Sequence, residues 1–142
     1  MSRYELRVLL SSWGLVVDLG LRASVAPVEP GFSIPVAPRV WLIVQPSARA
    51  GELEMPYLLS GLRRIAPRMS VELCVGEKHL VFVLDHLWFP PTDYQDDALE
   101  LAVVGWAADE LGIDVEPAEV SFDRSDNRYK IRYNEEIWNA EE

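Results

Sequence analysis

Residues 79–112 read HLVFVLDHLWFPPTDYQDDALELAVVGWAADELG, and the reading of this stretch decides the fold. Leu80 to Leu84 is an unbroken run of β-forming apolar residues, which predicts a strand covered on both faces. Pro90 and Pro91 end it, because neither has an N–H to give to a ladder. Thr92, followed three residues later by Gln95, has the form of a capping box. Asp93, Asp96 and Asp97 put negative charge at the positive end of a helix dipole. The pattern predicts a helix from about residue 93 to 111, roughly 28 Å long, with Gly112 as its C′ residue.

Leu99, Ala102, Val103 and Trp106 form a stripe on that helix, and Ala98, Leu101 and Ala108 widen it. Only Glu100 is charged between Ala98 and Ala108. So wide an apolar surface predicts a helix that lies on a sheet and is flanked by a second element. Asp97, Glu100, Val104 and Glu110 form the strip left for water or a partner.

Upstream, Tyr4, Leu6, Val8 and Leu10 alternate with Glu5 and Arg7, and Trp13 to Leu21 alternate again. These predict a β-hairpin, or one bent strand with a bulge at Gly14. The four prolines between Ala26 and Pro38, with Gly31, predict a surface loop, with Phe32 and Ile34 tucked beneath it. Val40 to Val44 is a second buried strand. A helix is expected from about residue 53 to 66, closed by Pro67, and a strand from Val71 to Val75. Gly76 to Lys78 would then turn this strand back into the 80–84 strand as a hairpin. Glu119 to Phe122 and Tyr129 to Tyr133 predict a last hairpin, and the acidic tail 134–142 carries Ile137 and Trp138 to pin it down.

The result is a single α+β domain over 1–142, in the order β-β-β-α-β-β-α-β-β. A mainly antiparallel sheet with two helices on one face is the economical arrangement. A strongly curved sheet wrapped around the long helix, enclosing an apolar cavity, is the alternative.

The net charge of −10 argues against nucleic acid and against an anionic membrane surface, and favours a basic protein partner. Cys74 is the only cysteine, which fits a reducing cytoplasm and excludes an intramolecular disulfide. Arg3, Arg7 and the apolar run Val8–Val17 mimic a short signal peptide. Asp18, Arg22 and the strand-like alternation argue for a strand instead. No apolar run is long enough to span a bilayer.

Cys74, His79, Asp85 and His86 invite a nucleophile–base reading. In the expected hairpin His79 and Asp85 face away from Cys74, and His86 lies about 20 Å from it, so no dyad forms. His86 with Asp93, Asp96 and Asp97 matches no metal-ligand spacing. No catalytic residue, metal or cofactor is assigned. The non-random feature is charge segregation. From His79 to Asp123 there is no Lys or Arg, while carboxylates recur from Asp85 through Asp109, Glu110, Asp114, Glu116 and Glu119 to Asp123.

In size, acidity and layout the chain resembles bacterial immunity proteins and similar small inhibitors, a likeness of class that no motif carries. The functional expectation is a small acidic protein-binding module that docks a basic partner through the acidic 93–112 helix. Asp96, Asp97 and Glu100 would supply charge, and Trp88, Phe89 and Tyr94 the aromatic anchors. Two other readings stand beside it. One is a small enzyme or ligand carrier with Asp85, His86 or Tyr94 at a pocket mouth. The other is a homo-oligomer joined through Val104, Ala107 and exposed edge strands.

Overall fold

Alternation at the N-terminus makes a hairpin. Strands β1 (Ser2–Leu9) and β2 (Gly14–Ala26) pair antiparallel, with Tyr4 opposite Leu19 and Leu6 opposite Val17. The computed structural model describes residues 2–139. The proline-rich segment is not wholly loop: Ile34–Ala37 is an edge strand, β3, where Pro35 is tolerated because one side of the strand has no ladder. Phe32 is fully exposed at φ 51°, not tucked beneath the loop. The apolar run Val40–Val44 is β4, followed by a single 3₁₀ turn at Pro46–Ala48.

Helix α1 is longer than its sequence predicts. It spans Met55–Glu72, passes through Pro67 and absorbs the start of the expected 71–75 strand. Pro67 is exposed, and the buried row Leu58, Leu62, Ile65, Met69 continues beneath it. Packing of that row outweighs the one hydrogen bond that proline removes. The helix ends in a Schellman motif: Val75 donates to the Ser70 carbonyl at 3.0 Å and Cys74 to that of Val71 at 3.1 Å. Cys74 occupies the left-handed C′ position, φ 53°, where glycine is the usual residue. It is an exposed turn residue, and the hairpin expected between 71–75 and 80–84 does not exist.

Strand β5 (His79–Trp88) instead pairs antiparallel with β2 and parallel with β4, so the five-stranded sheet runs β1-β2-β5-β4-β3. The fold is α+β, mostly antiparallel, with the helices packed against the sheet. Leu80, Phe82 and Leu84 face the helices; Val81 and Val83 are buried on the other face, beside Trp41 and Ile43 of β4.

Helix α2 (Ala98–Glu110) starts five residues later than predicted. The capping box does not form. Gln95 uses its carboxamide elsewhere, and no side chain caps the helix. Its far end follows the prediction. Gly112 is the C′ residue at φ 64°, and Ile113 donates to Ala108 at 2.9 Å. Strands β6 (Ala118–Asp123) and β7 (Arg128–Tyr133) form a separate two-stranded sheet, and α3 (Glu135–Trp138) buries Ile137 and Trp138 against the body. Glu141 and Glu142, the end of the predicted acidic tail, lie outside the described residues.

Every residue of α2 from Ala98 to Ala108 is buried except Glu100. A helix apolar all round must be wrapped on all sides, and two glycines allow the approach. A methyl group on Gly61 of α1 would lie 2.8 Å from Val103 Cβ, and one on Gly105 would lie 2.4 Å from the Tyr4 ring. Among the described residues no helix is long and apolar enough to cross a membrane.

Gly105→Ala is therefore expected to lose about 1–3 kcal/mol of unfolding free energy by overpacking. Adding Tyr4→Leu should recover part of it in a double-mutant cycle by denaturant titration; strict additivity would refute the contact. Cys74→Gly, which relieves the left-handed strain, is expected to gain about 0.5–1 kcal/mol by the same titration.

Candidate interaction site

The acidic stretch is divided by the fold into an internal half and an external half. Glu100 is the one charge on α2's buried flank, with its side chain 13 % exposed. It pairs at 3.3 Å with Arg64 of α1, whose guanidinium lies 4.0 Å over the Tyr133 ring and also reaches Glu135. Burial pushes the Tyr133 phenol up, and Glu100 adds to the shift. Asp97 accepts from Gln95 at 2.5 Å and pairs with Arg128 at 3.4 Å. Val104 and Ala107 are fully buried. Of the solvent-facing strip expected on this helix, Glu100 and Val104 are covered, Asp97 is partly covered, and Glu110 is exposed. Glu100 is engaged with Arg64 inside the protein, Asp97 is paired with Arg128 at the surface, and Val104 and Ala107 are not exposed to a second copy.

The expected aromatic anchors separate. Trp88 is 53 % exposed at the end of β5. Phe89 and Tyr94 stack at 3.7 Å and pack against the core. Burial pushes the Tyr94 phenol up, with the Asp96 charge second. Asp96 itself is exposed. Asp93 is occupied: its carboxylate accepts from Gly14 N–H at 2.8 Å and its carbonyl from Val16 N–H at 2.9 Å.

Strand β5 also places the histidines. A bulge opposite Gly20–Leu21 turns both Asp85 and His86 to the helix-free face, whereas simple alternation puts them on opposite faces. Asp85 pairs with Arg22 at 3.0 Å. His86 Nε2 lies 3.3 Å from Asp18, which also binds Arg3 at 2.8 Å; the Arg3 hydrogen bond holds the Asp18 carboxyl below its usual range. His79 Nδ1 accepts from the Trp41 indole at 2.9 Å. Cys74 stands apart in the α1–β5 turn. Among the described residues no three His, Cys, Asp or Glu side chains gather as a metal site. The space between α2 and the sheet is filled, with Phe82 and Trp106 edge to face at 6.3 Å and Leu19 and Leu84 beside them in the core.

What remains open lies at the other end of α2. Asp109 and Glu110 close the helix, Asp114 and Glu116 follow, and all four are exposed. Among the described residues none of them forms an ion pair, and the last turn contains no base. Beside them a groove of about 340 Å³ runs between β1 and the β6 segment. Tyr4, Leu6 and Val8 line one wall and Pro117, Ala118 and Val120 the other, above Leu101 and Gly105. Burial raises the Tyr4 phenol, and the charges of Asp109 and Glu116 add to it, so the carboxylates act on the groove itself.

The β6–β7 hairpin that forms the second wall hangs on Tyr129. Its phenol donates to the Trp13 carbonyl at 2.6 Å and accepts from Leu10 N–H at 2.9 Å. Its backbone N–H and carbonyl are both taken by the Gln95 carboxamide, each at 2.9 Å. Sequence reading did not single out this end as a site. The signal was present: carboxylates in the last turn of a helix are on the unfavourable end of its dipole. No protein-family model matches this chain, and no curated protein or solved structure does.

Gln95→Leu is expected to cost about 1–3 kcal/mol, because it strands two buried backbone groups of Tyr129. The loss should show first as faster amide exchange in β7. Exchange rates unchanged across β6 and β7 would mean that the carboxamide does not secure the hairpin.

Proposed function

We propose that this chain is a small acidic protein-binding module that docks a basic partner protein, in the manner of an immunity or inhibitor protein. The observation that carries the reading is the group Asp109, Glu110, Asp114 and Glu116 at the C-terminal end of α2. Asp109 and Glu110, in the last turn, oppose the helix dipole at a cost of about 0.3–1 kcal/mol each. The helix's own negative end adds to their potential. Such a field extends about 8–10 Å into solvent and accelerates encounter with a positively charged surface. On this reading the 93–112 segment docks its partner by its C-terminal end rather than by its flank. Trp88 remains an available aromatic contact, and Asp96 adds charge at the opposite end of α2. A single unpaired cysteine suits the cytoplasm as the working compartment.

Stability and binding should move in opposite directions. Asp109→Lys with Glu110→Lys is expected to raise unfolding free energy by about 0.3–1 kcal/mol per site. Asp114→Lys with Glu116→Lys should abolish salt-sensitive capture of a basic protein from a lysate of the source organism. Equal capture by wild type and the Asp114/Glu116 variant would refute the acidic end as the docking surface.

A further inference from the structure

The groove beside the acidic end is bounded by two unpaired strand edges. In an antiparallel ladder the backbone groups of alternate residues point to opposite sides of the strand. Gly14 and Val16 direct their N–H groups to Asp93, away from β1. Val8, Leu6 and Tyr4 are therefore the β1 residues bonded to β2, through Leu15, Val17 and Leu19. The N–H and C=O groups of Arg3, Glu5 and Arg7 consequently point off the open edge of the sheet. The same reasoning applies across the groove. Gln95 takes both outward groups of Tyr129, so the Phe122–Tyr129 pair is not hydrogen-bonded. Ala118, Val120 and Phe122 then direct their backbone groups off the free edge of β6. Gln95 covers the β7 edge at Tyr129; no such cover lies on β1 or β6 among the described backbone contacts.

We infer that this groove takes an extended segment of the basic partner, which adds to the β1 edge as a sixth strand, with β6 as the facing wall. The inference rests on the acidic-docking reading and gives it a mode of recognition. Backbone pairing supplies affinity and alternate side chains supply specificity, as in other cases of strand addition. One alternate set meets the apolar floor at Leu6, Leu101 and Gly105; the other, if Lys or Arg, meets Glu116. The arginines of β1 do not oppose this, because Arg3 is paired with Asp18 at 2.8 Å and Arg7 with Glu5 at 2.5 Å.

The probe is a short synthetic peptide in which lysine alternates with valine, compared with a peptide of the same composition in separate lysine and valine blocks. Titration into the isotope-labelled chain is read by NMR amide exchange. The alternating peptide should bind more tightly than the block peptide and protect the amides of Arg3, Glu5 and Arg7. Glu5→Pro removes one outward N–H at an edge that tolerates proline, and should weaken binding about tenfold. Arg7→Pro is the second variant should the first fail to fold, and the wild-type exchange pattern decides without either. Weakening by Glu116→Lys, with no edge amide protected, would overturn strand addition and leave acidic docking intact. Capture of a basic protein from lysate with no peptide binding would do the same. Failure of both capture and peptide binding would defeat the docking reading itself. A dimer formed through β1 in the absence of peptide would name a second copy as the occupant and overturn the inference.

Discussion

Helix α2 has no polar flank, and the remainder of the architecture follows from that. Ten of its thirteen residues are buried, which requires cover from the sheet, from α1 and from the C-terminal hairpin together. The wrapping is tight enough that Gly61 and Gly105 are steric requirements: side chains there would collide with Val103 and Tyr4. Interiors packed to this density tolerate little added volume. The one charge admitted to the wrapped flank, Glu100, is neutralised by Arg64. An uncompensated charge at that depth would cost more than the pair contributes.

Wrapping also decides which surfaces are left. The hairpin β6–β7 is tethered at Tyr129 from two directions, by its phenol to the β1–β2 turn and by its backbone to Gln95, and the Trp13 indole adds a bond to Asn127. That tether covers the β7 edge at Tyr129, and the β6 segment faces β1 across the groove. Two open edges therefore meet over Leu101 and Gly105 of α2, beside Glu116, while Asp109 and Glu110 sit in the last turn, where the helix dipole disfavours them. Local stability and surface potential are in conflict at this end of the helix. The proposed docking function gives a reason for the conflict.

Much of the fold was legible. The hairpin β1–β2, the strand at Val40–Val44, the β6–β7 hairpin, the Gly112 helix end and the pinning role of Ile137 and Trp138 all follow from alternation and punctuation. The region from Val71 to Val75 was misread because β-branched residues favour strands locally, while burial of Met69 and Val75 holds the chain in a helix and its Schellman end. Cysteine in a left-handed position carries no sequence signal. Likewise Gln95 has the spacing of a capping residue, but its carboxamide is better used as a partner for an edge strand thirty-four residues away.

By itself the sequence determined the composition of the layers, the apolar character of α2 and the exclusion of positive charge from residues 79–123. These are properties of residue identity and spacing, and no partner in space is needed to read them. Tertiary structure alone decided that β5 pairs with β2 and β4, that a bulge puts Asp85 and His86 on one face, that Glu100 is largely buried against Arg64 and that Asp97 is paired with Arg128. It also decided that the exposed charge lies at the far end of the helix. Each depends on contacts between segments distant in the chain, whose geometry is set by the packing of the whole and leaves no local trace.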